Sequence, residues 1–339
     1  MTSNTLSRRR FLGITAASAA LLGSTPLHAA LSRPDALPEP VVWRGVALGA
    51  DAQMQLLHPD RARAEQLIEL ALGEIQRLEK VFSLYREDSA LVRLNRDGQL
   101  DSPPGDLCRL LSEACAFARL TGGYFDPTVQ PLWNWYLQRE QQGARPVFDA
   151  RAVDATLRRI GYQAIDIEAE RIRFRRPDMA VTLNGIAQGY ITDRVTELLR
   201  TQGLEHAMID LGEARSLGQP GSDRPWRAGI AKPDAPAQLL ETIELHDQAL
   251  ATSGGYGTPL DASGQLTHLF DPHTGSAQPI WRSVSVRAAD ATTADALSTA
   301  FSLMQESKIR DIVSVFPVQA WLLPPKNQGS DGDRLIHLA

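Results

Sequence analysis

The chain has 339 residues, 43% of them hydrophobic and 22% charged, with a formal net charge of −5. This is ordinary globular usage, long enough to bury a sizeable core, and it excludes disorder and low-complexity architectures. The acidic balance excludes a nucleic-acid footprint, and two Cys with seven His exclude zinc-finger and iron–sulfur ligand sets.

The first expected element is an address. Residues 1–30 carry a basic cluster, Arg8–Arg10, an apolar run from Phe11 to Gly23, and small residues at Ala29 and Ala30. The run is too short to span a bilayer and reads as a secretory signal. Ser7-Arg8-Arg9-Arg10-Phe11-Leu12 resembles the twin-arginine signal for export of folded proteins. The mature chain, 31–339, is therefore expected to be one compact periplasmic domain.

Apolar spacing predicts a helix from Arg61 to Tyr85 and another over 106–120, ending at Gly122-Gly123. Cys108 and Cys115 share a face of the second and are too far apart along it for a disulfide. A hairpin is expected over 170–183 and a helix over 186–201. Strands are expected at 207–211, 226–230, 242–245, 250–253 and 283–288. The C-terminal third adds a helix over 293–304 and strands at 312–316 and 320–323. Strands and helices mix without a βαβ rhythm, which predicts an α+β fold.

Four polar, glycine-bearing stretches interrupt these elements. In Thr121-Gly-Gly-Tyr124-Phe125-Asp126-Pro-Thr128, Asp126 reads as the cap of a turn. Gly185, in Asn184-Gly185-Ile-Ala-Gln188-Gly-Tyr190, precedes a helix whose free N–H groups suit a phosphate; a plain strand-to-helix turn fits equally well. Ser253, His268 and Asp271 invite a hydrolase reading, but no Gly-x-Ser-x-Gly elbow is present. Asp295 and Thr299 are spaced i,i+4 on one helix face, a pairing that suits a hard cation such as Mg²⁺ or, alternatively, a helix cap.

In this order the stretches resemble the ApbE family of FAD:protein FMN transferases. The resemblance rests on Ser83-Leu-Tyr85, Gly123-Tyr-Phe-Asp-Pro-Thr128, Gly185-Ile-Ala-Gln-Gly-Tyr190, Thr252-Ser-Gly254, His268-Leu-Phe-Asp-Pro-His-Thr-Gly275 and Ala294-Asp-Ala-Leu-Ser-Thr-Ala300. It implies a single T-fold-like α+β domain that takes FAD as substrate and Mg²⁺ as cofactor. In such a protein FMN passes to a Thr or Ser hydroxyl of an acceptor flavoprotein, and AMP leaves. It also implies Gly185, Asp295 and Thr299 as metal ligands and His268 as the base. Leu48, Tyr85, Tyr124, Phe125, Asp126, Thr182, Gln188, Ser253 and Phe270 would then contact FAD.

Departures from the pattern are Gln188 for Lys, Gly212-Glu213-Ala214 for Gly-Gly-Asp/Asn, Gly255 for Asp and Leu48 for Met. Gln188 and Leu211-Gly-Glu-Ala-Arg215 resemble a periplasmic branch linked to nitrous oxide reductase maturation. That implies an acceptor facing the periplasm. The altered loops keep two alternatives open, a non-catalytic FAD-binding maturation factor and an FAD pyrophosphatase.

Overall fold

A computed structural model describes residues 38–47, 49–141, 150–221, 224–257, 260, 266–326 and 333–339, together with a short strand at 18–20. Apart from that strand, the expected export signal lies outside the described residues, as does Leu48.

In chain order come β1 (Ser18–Ala20), β2 (Val41–Ala47), β3 (Ala50–Leu57), α1 (Arg61–Phe82), α2 (Ala90–Asp97), β4 (Gln99–Asp101) and α3 (Gly105–Leu120). Then follow α4 (Gln130–Gln141), α5 (Ala150–Leu157), β5 (Ile165–Ile167), β6 (Arg171–Phe174), α6 (Ala187–Thr201), β7 (His206–Asp210) and β8 (Ala214–Leu217). The chain continues through β9 (Trp226–Lys232), β10 (Ala235–Leu245), β11 (Ala249–Ser253), β12 (Ser283–Ala288) and α7 (Ala291–Phe301). It ends with α8 (Glu306–Val313), β13 (Gln319–Leu323) and β14 (Ile336–Leu338).

An eight-stranded antiparallel sheet of order β14-β13-β12-β11-β8-β7-β3-β2 forms the centre. Both faces of its middle strands are buried. Ala207 and Ile209 of β7, Ala251 of β11 and Leu322 of β13 pack into one large core with α1, α6 and α7. The alternate residues Met208, Leu250 and Trp321 pack instead with Trp226, Ile230, Ile243 and Leu245 of the β9–β10 pair. This two-sided burial explains why these strands read as nearly unbroken apolar runs rather than alternating ones. The α+β class is as the sequence predicts.

Two expected elements are corrected. The run expected as a strand over 312–316 begins in the last turn of α8, where Ile309, Ile312 and Val313 are buried at helical spacing, and continues into the turn after it. Its β-branched content suggested a strand, but an Arg310–Glu306 i,i+4 ion pair at 2.6 Å and the one-sided burial favour the helix. The hairpin expected over 170–183 sits earlier, as β5 and β6. Beyond it, the Val181 N–H donates to Asn95 Oδ1 (2.7 Å) and Asn95 Nδ2 donates to the Val181 carbonyl (2.8 Å). One amide side chain thus stands in for a strand partner and holds the segment leading to Gly185. Both cysteines are free thiols on α3.

Candidate functional site

The site begins with how α7 is anchored. Asp290 caps it, accepting the Thr293 N–H at 2.7 Å. Asp193, on α6, accepts the Ala291 and Thr292 N–H groups at 2.8 Å each and is itself paired with Arg215. The free donors of the first turn are thereby used by two carboxylates from different elements. Gly189 permits the close approach of α6 and α7: a Cβ there would stand 2.2 Å from the Ala291 carbonyl oxygen.

Asp295 therefore lies inside α7 and is not its cap. Its Oδ2 accepts the Gly189 N–H at 3.0 Å. Thr299, one turn on, lies against residue 185, where a Cβ would come within 2.9 Å of Thr299 Oγ1. Ser253, at the end of β11, places its hydroxyl 2.7 Å from Ser298 Oγ and 3.3 Å from Thr299 Oγ1. Gly185, Ser253, Asp295 and Thr299, far apart in sequence, thus form one wall of an open cleft.

That wall is acidic. Asp295 and Glu213 are each 3% exposed, and Asp210 is nearly as buried. Burial pushes the Asp210 and Asp295 carboxyls up to about 7. Burial and the facing charges of Asp295 and Asp210 raise Glu213 well above the usual carboxylate range. No Lys or Arg lines the cleft among the described residues. Buried carboxylates facing one another in this way suit a hard divalent cation, which takes carboxylate, hydroxyl and carbonyl oxygens.

The opposite wall is made of turns. Asp126 accepts from Thr128 N–H (2.8 Å) and Thr128 Oγ1 (2.5 Å) through one carboxylate oxygen, and from Tyr162 N–H (3.1 Å) through the other. Its carboxylate is fully engaged by the protein, as the capping reading expects. Tyr124 packs against the His273 ring at 4.7 Å, the two planes tilted by 51°, and His273 Nε2 lies 3.0 Å from the Gly122 carbonyl. Phe270 stacks on Tyr136 at 5.4 Å and meets Trp133 edge-on at 5.9 Å, giving an aromatic surface beside the half-buried His268.

The model of the ApbE family matches residues 48–322. The chain belongs to the ApbE family. The Escherichia coli K12 protein named FAD:protein FMN transferase is 27% identical over 288 residues, 81% of each chain. One of the same name from Vibrio cholerae is 35% identical over 237 residues, 67% of this chain and 70% of that one. Among solved structures, the flavin transferase ApbE from Vibrio cholerae superimposes with a TM-score of 0.75 at 27% identity, covering 89% of this chain and 97% of that one.

Of the residues the family resemblance singled out, Tyr124, Phe125, Asp126, Thr182, Gly185, Gln188, Ser253, His268, Phe270, Asp295 and Thr299 all line this cleft. Tyr85 does not line it and is 60% exposed. It is joined to the wall through a hydrogen bond with the side chain of Asn184. Sequence reasoning missed Trp133, which α4 carries to the cleft; Pro131 sits in the first turn of that helix, where proline is favoured. Glu213 was visible only as a departure from the family pattern. Asp193, singled out by nothing, turns out to cap α7.

Proposed function

We propose that this ApbE-family chain is an FAD:protein FMN transferase that works in the periplasm with Mg²⁺. The observation that carries the reading is the acidic wall. A cleft lined by buried carboxylates and by no Lys or Arg among its described residues can accept an anionic pyrophosphate only with a cation. The Asp295 carboxylate, the Thr299 hydroxyl and the Gly185 carbonyl are the donors to hold it, all hard oxygens. Bound Mg²⁺ supplies neutralisation of the pyrophosphate charge.

The chain's own residues do the rest. The aromatic wall of Phe270 and Trp133 and the Tyr124–Phe125 turn receive the flat rings of FAD. Gln188 and Thr182 face its polar middle. His268 takes the proton of an acceptor Thr or Ser hydroxyl, whose oxygen bonds to the FMN-side phosphorus. The anhydride bond to the AMP-side phosphate breaks, and AMP leaves with the bridging oxygen. The acceptor is a flavoprotein facing the periplasm, with a nitrous oxide reductase maturation partner as the first candidate to assay. The twin-arginine segment supports this location, because a folded enzyme would meet such a target there.

Incubation with FAD, Mg²⁺ and the acceptor, read by mass spectrometry, tests the whole reading. The expected result is an acceptor heavier by FMN less water, together with AMP. Free FMN without adduct would mean hydrolysis, and intact FAD would mean a binding protein; either overturns the transferase assignment.

A further inference from the structure

Glu213 occupies the tight turn between β7 and β8, a place where an exposed polar residue is expected. Instead it is 3% exposed and lines the cleft. The turn is held shut from below, since Asp210 Oδ1 accepts the Gly212 N–H at 3.1 Å. Gly212 has φ +109, and a Cβ there would meet Gln188 Nε2 at 2.5 Å, so the turn is pressed against the start of α6. The Glu213 carboxylate accepts the Thr252 N–H, but Oε2 has no hydrogen-bond partner. A buried carboxylate oxygen left bare in an acidic cleft is costly unless a ligand completes it.

We propose that Glu213 is a ligand of the divalent cation, sharing it with Asp295 across the end of α6, so that the centre has two carboxylates. The inference rests on the cation site proposed above. Two features of the site agree with it. Glu213 and Asp295 face the same cleft, and the charges of Asp295 and Asp210 both act on Glu213. No Lys or Arg among the described lining residues offers the carboxylate an alternative partner.

The test uses the purified full chain with Mn²⁺ as the probe, the free ion being counted by electron paramagnetic resonance. FAD affinity is measured in parallel by flavin fluorescence in EDTA. Glu213→Gln keeps the shape and removes the charge. It is expected to weaken Mn²⁺ at least about tenfold. In the same variant, metal-free FAD affinity should hold, because the amide fills the same volume in the cleft. A loss of the metal with FAD binding kept is not what simple damage to the turn produces. Should the amide disturb folding, Glu213→Ala carries the same comparison. If Glu213→Gln binds Mn²⁺ as tightly as the parent while Asp295→Asn has lost it, the assignment of Glu213 is wrong. If Asp295→Asn also binds Mn²⁺ undiminished, the cation site itself is wrong, and the proposal falls with it.

Discussion

Both walls of the cleft carry buried carboxyls, yet they differ in what the protein has already done with those groups. On the turn wall, Asp126 gives both carboxylate oxygens to Thr128 and Tyr162, and Asp271 binds the His273 N–H at 2.9 Å and Thr274 Oγ1 at 2.8 Å. On the α6–α7 wall, Asp295 has one backbone donor and Glu213 keeps an oxygen bare. The difference teaches which acids are scaffold. A carboxylate whose hydrogen bonds close on the protein holds a loop in place, and one left under-satisfied in a buried site awaits a ligand.

The same substitution on each wall is the strongest way to break that contrast. Asp295→Asn is expected to cut Mg²⁺-dependent FMN transfer by at least about two orders of magnitude, since the charge that draws the cation is lost. Its metal-free melting temperature should hold or rise, because a buried, repelled charge has been removed. Asp126→Asn should do the reverse. It loses an acceptor that two donors share or one that Tyr162 uses, at a cost of about 1–3 kcal/mol, and it should keep measurable, metal-dependent transfer. Thermal melts in EDTA and transfer assays per folded molecule, run side by side, check both. A stabilised Asp126→Asn or a fully active Asp295→Asn would erase the distinction between the walls.

The two histidines of the turn wall give a finer contrast. His268 lines the cleft, whereas His273 lies behind Tyr124, bridging Gly122 and Asp271. His268→Asn is expected to lower transfer by about two orders of magnitude or more while FAD affinity stays within a few-fold. His273→Asn should leave the turnover number nearly intact but weaken FAD a few-fold, because the ring contact that steadies Tyr124 is lost. Stopped assays for turnover and fluorescence titration for affinity separate the two. A large turnover loss in His273→Asn with an active His268→Asn would exchange their roles.

Much of this was legible in the sequence, and the reason differs by region. The helices that set the site, α1, α3, α6 and α7, were found to within a few residues; the first three show one-sided apolar spacing, while α7 is buried nearly all round. The run around 312 misled because its β-branched residues suit a strand, while its period is helical. At the site, Asp295 and Thr299 were legible because i,i+4 spacing on a helix is a geometric fact readable from numbers alone. Glu213 was not: it enters the cleft beside Asp295 only through the β7–β8 turn, and no local pattern records that placement. Nor did any spacing reveal that Asp193 on α6 would cap α7.

The smallest expected effect is a pH dependence, and its sign follows from the same acids. Asp210 and Asp295 sit at about 7 through burial, against an ordinary value of 3.8. Between those values the metal-free folded protein keeps protons that the unfolded chain has released. Raising the pH through 7 therefore removes stability, which is fully present only below about 4. Surface acids act in the opposite sense: Lys232 and Arg282 hold Asp333 down at about 2, so its contribution is lost only in strong acid. From pH 5 to 8 such lowered acids are ionised in both states and drop out, leaving the buried ones to set the slope. The melting temperature in EDTA should thus fall by a few degrees from pH 5 to 8. Mg²⁺ favours the charged carboxylates and should flatten that fall, its stabilisation growing with pH. Melting curves that run parallel with and without Mg²⁺ across this range would show that the buried acids of the α6–α7 wall serve no cation.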